Sequence, residues 1–343
     1  MRNKEYSWYL LSNAPGFGAK SIHYIYRNLL ANNLSINDLF DLGLNELQRL
    51  FPEIGRGKLS RADFACFSQL DADEKLYDDF EKLKLDGVAI IGLDDDRYPK
   101  FVLENMRDNA PPILYCKGYL PLLQQKGVSI VGSRDAGDFE IALTQSIAQK
   151  LAENGTNVIS GYAKGVDTSA HLGALEAQGT TTMVLSFGIN HVTVKREFRD
   201  LDIEKNGLFV TQFAPYEKFS GQNAMIRNKL VCAMSEAIVV IKSGPEKDTL
   251  GKMSGTFDAG KSALEMGLPV FVLSPEVLKP TPQGNIDLIK LGGMAFSNVV
   301  DIVTLFKEHL ERERVGAGER RDTKEKKEPA NKPTKPHQIR LFD

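Results

Sequence analysis

The chain is poor in the residues that covalent or metal staples need. Its 343 residues include three cysteines, Cys66, Cys116 and Cys232, scattered and with no Cys-x-x-Cys pair. An odd, dispersed set supports neither a disulfide framework nor a zinc site, and a reducing cytoplasm is the expected setting. An excess of one charge is missing too: 43 Lys and Arg against 45 Asp and Glu leave a formal net charge of −2. That balance excludes a histone-like or polybasic protein, so nucleic-acid binding would have to come from a local patch. No apolar run approaches the roughly 18 residues that span a bilayer. The start, Met1-Arg2-Asn3-Lys4-Glu5, meets polar residues too soon for a secretory signal. Internal repeats are lacking, as are a Gly-x-Ser-x-Gly elbow, a His-Glu-x-x-His zinc helix and any cluster of His, Cys and carboxylates. No catalytic residue, cofactor, metal or membrane contact is expected.

What is present is an ordinary globular composition, 42% hydrophobic and 26% charged, in a chain long enough for two domains and a tail. Residues 1–86 read as a small all-α domain. Trp8 and Leu11, then Ile22, Ile25, Tyr26 and Leu29, recur at helical spacing on either side of Ala14-Pro15-Gly16-Phe17-Gly18. A helix, a tight Gly-containing turn and a second helix follow from that pattern. Residues 87–306 alternate short apolar runs with helical patterns. The runs at 128–131, 157–160, 182–185, 208–210, 237–241 and 269–273 are continuously apolar, as strands buried on both faces are. In the first helix between them, Phe139, Leu143, Ile147 and Leu151 are expected to share one face. The predicted fold is α/β, a doubly wound Rossmann-like parallel sheet built from right-handed crossovers. Residues 307–343 are rich in Lys, Glu, Arg, Gly and Pro and read as a disordered tail.

In an open parallel sheet, ligands bind beyond the carboxyl ends of the strands. Three turns there have the character of anion sites. Gly132-Ser133-Arg134 follows the first of the parallel runs at once. Ser160-Gly161-Tyr162-Ala163-Lys164-Gly165 follows the second, and Lys252-Met253-Ser254-Gly255-Thr256 precedes a later helix. Glycine admits close backbone approach, hydroxyls and free helix N–H groups bind anions, and Arg134, Lys164 and Lys252 add charge. Together they predict one phosphate-binding pocket. The segment Gly255 to Ser262 also matches the P-loop pattern GxxxxGK[ST]. Its surroundings oppose that reading: the preceding strand ends near Ile241, and Gly267 and Pro269 stop the helix within two turns. Asp167 and His171 stand four apart on one helix; a capping Asp beside a helix-surface or packing His is preferred to a general base.

Taken in order, these turns resemble the DprA/Smf family (DNA-processing protein A). The residues that carry the resemblance are Gly132-Ser133-Arg134, Ser160-Gly161-x-Ala163-x-Gly165-Val166-Asp167 with Ala170-His171, Arg227-Asn228-Lys229 and Ser254-Gly255-Thr256. Tyr98-Pro99, Pro111-Pro112-Ile113-Leu114-Tyr115, Lys117-Gly118 and Gly284-Asn285 add to it. The N-terminal turn is similar to the family's helix-hairpin-helix or SAM-like module. The resemblance implies a protein that binds single-stranded DNA, forms a homodimer and loads a RecA-type recombinase. It implies a DNA- or phosphate-binding set of Gly132, Ser133, Arg134, Ser160, Gly161, Lys164, Gly165, Arg227, Asn228, Lys229, Lys242, Ser254, Gly255 and Thr256.

The chain departs from the family at Thr211-Gln212, where a Ser-Glu is usual, and at Lys242-Ser243, where a Glu-Ala is usual. Two carboxylates lost and one cation gained suit a polyanion better than acid–base chemistry. Transformation, recombination, phage defence and control of a toxin all remain open as roles. The final Gln338-Ile339-Arg340-Leu341-Phe342-Asp343 resembles a sliding-clamp-binding peptide, through Gln338, Leu341 and Phe342, on a charged linker. Two other classes stand beside the DNA-binding one. One is a nucleotide-signal sensor. The other is a nucleotide N-glycosidase (phosphoribohydrolase), whose usual PGGxGTxxE segment this chain lacks.

Overall fold

The computed structural model describes residues 2–306 and 308. The described residues up to Ile302 form one compact unit, and those from Val303 on fall outside it. Gln338, Leu341 and Phe342, and the rest of the expected tail apart from Glu308, lie outside the described residues.

The N-terminal part is helical, with α1 (Lys4–Ser12), α2 (Ala19–Ala31), α3 (Leu44–Leu50), α4 (Phe67–Asp71) and α5 (Glu74–Leu85). The Asn3 side chain caps α1 by accepting from the Tyr6 N–H at 2.8 Å, which satisfies a donor that the helix itself cannot. α1 buries Trp8, Tyr9, Leu10 and Leu11. The expected turn between the first two helices is present, with Gly16 at φ +82°.

A nine-stranded sheet follows: β1 (Ala89–Gly92), α6 (Lys100–Met106), β2 (Ile113–Gly118), β3 (Gly127–Val131), α7 (Asp138–Glu153), β4 (Asn157–Gly161), α8 (Val166–Glu176) and β5 (Thr181–Val184). The chain continues through α9 (Ile203–Asn206), β6 (Gly207–Thr211), α10 (Gly221–Ala233), β7 (Ser235–Val240), α11 (Gly255–Glu265), β8 (Val270–Leu273), α12 (Gln283–Lys290) and β9 (Met294–Phe296). The strand order is β1-β2-β6-β5-β4-β3-β7-β8-β9. From β6 to β9 every pairing is parallel. The six expected strands are all there, and most of their residues are buried on both faces.

Two features differ from the sequence reading. The sheet is not wholly parallel, because β1 and β2 add an antiparallel edge against β6. Both strands are short and β2 follows Pro111-Pro112, so neither shows a long apolar run. The α7 face is also rotated from the expectation. Ile147 and Leu151 are buried with Thr144 and Ala148, but Phe139 is 53% exposed. Glu140 takes the inward position in the first turn because Lys242 neutralises it there, at 2.7 Å.

This order has a reversal. After β3 the chain runs outward through β4, β5 and β6, then returns to place β7 on the other side of β3. Connections leave β3 and β7 in opposite directions, so a crevice opens beyond their carboxyl ends.

Candidate functional site: a cavity at the switch of the sheet

A cavity of about 570 Å³ occupies that crevice. Its walls come from the ends of β3 and β4, from the segment beyond β7, from α10 and from the start of α11: Gly132, Arg134, Gly161, Gly221, Gly244 and Gly255 are among them. The N-terminal ends of two helices thus reach one cavity, and free N–H groups there favour an anion. Ser254 caps α11, accepting from the Phe257 N–H at 3.3 Å. Ser220 caps α10, accepting from the Asn223 N–H at 3.0 Å. Asn228, midway along α10, donates to the Gly255 carbonyl at 2.9 Å and ties α10 to the start of α11.

The floor of the cavity is a buried ionic network. Arg227 is 5% exposed. Its Nη1 donates to the Val184 carbonyl at 2.8 Å and lies 4.0 Å from the Asp167 carboxylate. Its Nε is buried with no hydrogen-bond partner among the described residues. Burial lowers the guanidinium pKa from its ordinary value, and Asp167 opposes that effect. Asp167 sits in the first turn of α8 and also accepts from the Ala163 N–H at 3.3 Å. Gly161 is required beneath this pair: a Cβ there would overlap both the Arg227 guanidinium and the Asp167 carboxylate.

His171, four residues on, is fully buried. Its Nε2 faces the Gly161 carbonyl, and its Nδ1 lies 2.7 Å from the Thr181 hydroxyl. Burial pushes its pKa down to about 3, so the ring is neutral and structural. The packing His is as expected from the sequence. The capping Asp is not, since Gly165 occupies the N-cap of α8.

The rim is different in kind. Arg134 is exposed and makes no ion pair among the described residues; its guanidinium lies over the Phe219 ring at 5.5 Å. Ser133 accepts from the Asp135 N–H at 3.0 Å, which closes the turn that presents Arg134. Lys252 enters from an exposed hairpin, held by the Asp248 carboxylate accepting from the Leu250 and Lys252 N–H groups at 2.9 Å each.

Of the expected binding set, Gly132, Ser133, Arg134, Gly161, Arg227, Asn228, Ser254, Gly255 and Thr256 all line this one cavity. The other five do not. Ser160 is inside the sheet, donating to the Ile130 carbonyl at 2.6 Å. Lys164 is exposed on the β4–α8 turn. Gly165, at φ +72°, lets α8 begin against the Ser133 and Arg134 carbonyls. Lys229 is exposed on α10, two residues past Arg227. Lys242 donates to Glu140, and this corrects the charge expected for the pocket: the cation is cancelled where it stands. Burial alone would raise the Glu140 carboxyl; the bonds from Lys242 and backbone N–H groups outweigh it and hold it below its ordinary value.

The P-loop match is a helix. Gly255–Glu265 is α11 throughout, Gly260 packs on Leu288, and Lys261 pairs with Glu246 at 2.8 Å. Among the described residues no group of His, Cys, Asp and Glu is placed to hold a metal ion. No described helix is long and apolar enough to cross a membrane. Sequence reasoning missed Lys195, which donates to the Ala163 carbonyl at 2.9 Å and the Thr168 hydroxyl at 2.7 Å. Burial lowers its pKa. It comes from an irregular stretch after β5 with no periodic signal.

Fold and cavity together define a doubly wound Rossmann-like protein with its cleft at the topological switch. The chain belongs to the DNA recombination-mediator protein A family, whose model matches residues 89–307. It is 28% identical over 218 residues to the DNA processing protein DprA of Bacillus subtilis, a stretch covering 63% of this chain and 70% of that one. The fold is similar to that of DprA from Streptococcus pneumoniae, with a TM-score of 0.69 at 23% identity, over 89% of this chain and 98% of the other. A second solved structure, DprA of Helicobacter pylori, described for its single-stranded DNA binding mode, covers 64% of this chain and is itself covered to 96%. It has a TM-score of 0.54 at 24% identity.

Proposed function

We propose that this protein binds single-stranded DNA, and that the cavity at the sheet's switch point takes the phosphate backbone. The observation that carries the reading is the convergence there of the exposed Arg134 and two helix N-termini, above the buried Arg227–Asp167 floor. Cationic side chains and N–H groups in that arrangement track phosphates without reading bases. The single-stranded DNA binding of the Helicobacter relative supports the same ligand. Gly132, Ser133, Asn228, Ser254, Gly255 and Thr256 then line the backbone's path, and exposed Lys164 and Lys229 extend it. The family's description as a recombination mediator supports a further step, delivery of the strand to a RecA-type recombinase by a homodimer.

The role is one of binding rather than catalysis. The two groups best placed for acid–base work are committed: His171 is neutral and buried, and Asp167 faces Arg227.

The test is a titration of fluorescent oligo-dT strands of increasing length into wild type, Arg134→Ala and Lys164→Ala at two salt concentrations. Tight, length-dependent, salt-sensitive binding, weakened in both variants, is expected. Binding indifferent to length and to both substitutions would overturn the reading. Saturable binding of a mononucleotide with thermal stabilisation would favour a nucleotide sensor instead.

A further inference from the structure

A second cavity, of about 290 Å³, lies between the N-terminal helices and the antiparallel edge of the sheet. Its chemistry is the opposite of the first. No charged side chain lines it; Phe17, Pro111, Pro112 and Phe213 give it flat apolar walls. Gln212 reaches into that lining, and its Nε2 is buried with no acceptor among the described residues. A buried amide donor left unpaired costs about 1–3 kcal/mol, so an acceptor is owed to this position. The other buried polar groups nearby are satisfied. Ser12 donates to the Tyr9 carbonyl at 2.7 Å, and the Tyr115 hydroxyl donates to Ser12 at 2.7 Å.

The walls are fixed before any ligand arrives. His23 bonds the Ala110 carbonyl at 2.9 Å, and Tyr98 donates to the Pro111 carbonyl, which together tie α2 to the segment before β2 and the proline pair to the loop after β1. The two cavities share α10: Ile226 lines the second, while Met225 and Arg227 line the first. The segment after β6 joins them as well, with Gln212 and Phe213 at one and Phe219 at the other.

We infer that the second cavity is a nucleobase pocket, taking one base of the strand whose phosphates lie in the first. The inference rests on the reading above. A neutral, planar group with a carbonyl or ring-nitrogen acceptor fits uncharged flat walls and an unpaired amide. Single-stranded nucleic acid is commonly held this way, by bases stacked on flat side chains and bonded on an edge. Gln212 contributes the bond; Phe17 and the proline pair contribute the surface.

The experiment compares oligo-dT with an abasic strand of equal length, by fluorescence anisotropy, in wild type, Gln212→Leu and Ala214→Trp. Ala214 is an exposed residue of the cavity lining, so the indole fills the pocket without entering the core. Gln212→Leu removes an unpaired donor and is expected to fold as stably as wild type, which thermal unfolding checks. Wild type is expected to prefer oligo-dT by about tenfold. Either variant should lose about tenfold for oligo-dT and keep its affinity for the abasic strand. Equal wild-type affinity for the two strands overturns the base pocket alone and leaves the phosphate site standing. So does a variant that binds oligo-dT normally, or one that weakens both strands alike. Failure of wild type to bind either strand overturns both readings.

Discussion

The floor and the rim of the larger cavity each hold an arginine, and the two do different work. Arg227 is buried, bonded to the Val184 carbonyl and set against Asp167, so its charge is part of how β4, β5, α8 and α10 hold together. Arg134 is exposed, makes no ion pair among the described residues and leans on an exposed Phe219. A charge the fold has already spent cannot be read as a ligand contact from its residue type alone. The rim charge is the one whose removal should touch ligand and little else.

Substitutions can break that contrast. Arg227→Leu leaves the Asp167 carboxylate buried beside an apolar group, and about 3–5 kcal/mol of stability should disappear in urea unfolding. A loss below about 1 kcal/mol would move Arg227 from the fold to the ligand. Acid should find the same floor through His171, whose folded pKa of about 3 lies below its ordinary 6.5. A base held neutral by burial stabilises the protein fully above its unfolded pKa. That stability is lost as pH falls from about 6.5 toward 3, at roughly 1.4 kcal/mol per pH unit. In His171→Asn this component of the slope should vanish; a slope identical to wild type would show that the ring is not buried neutral.

Gly161→Ala forces a methyl into the Arg227–Asp167 contact and should cost about 2 kcal/mol, read as a lower urea midpoint. The rim should behave otherwise: Arg134→Ala is expected to shift the unfolding midpoint by less than about 0.5 kcal/mol. Lys242→Gln sharpens the point from the other side. It should destabilise by about 1 kcal/mol by exposing Glu140 to its burial cost, yet leave the salt dependence of DNA binding unaltered. A shallower salt dependence in that variant would return Lys242 to the binding surface.

Most of the parallel part of the sheet was legible because its strands are continuous apolar runs, and β3 and β4 end at once in Gly-containing turns. Such turns are also why the rim was legible: Gly132-Ser133-Arg134 and Ser254-Gly255-Thr256 are contiguous in sequence, and β3 and α11 bring them to one edge. The floor was only partly legible. Arg227 and Asp167 were singled out, but their pairing joins residues 60 apart through Gly161, and nothing local announces it. Lys242 was misjudged for the same reason, since its partner Glu140 lies 102 residues away. β1, β2 and β9 are three to six residues long and carry no periodic signature. The smaller cavity draws its walls from three separated stretches, around residues 12–22, 109–115 and 212–226, so no single window of the chain could reveal it.

The most direct test of the account is the salt dependence of oligo-dT binding in wild type and Arg134→Ala. If the rim arginine contacts phosphate, log K should fall linearly with log salt concentration, with a slope shallower by about 1 in the variant. An identical slope in both proteins, or binding insensitive to salt, would contradict it.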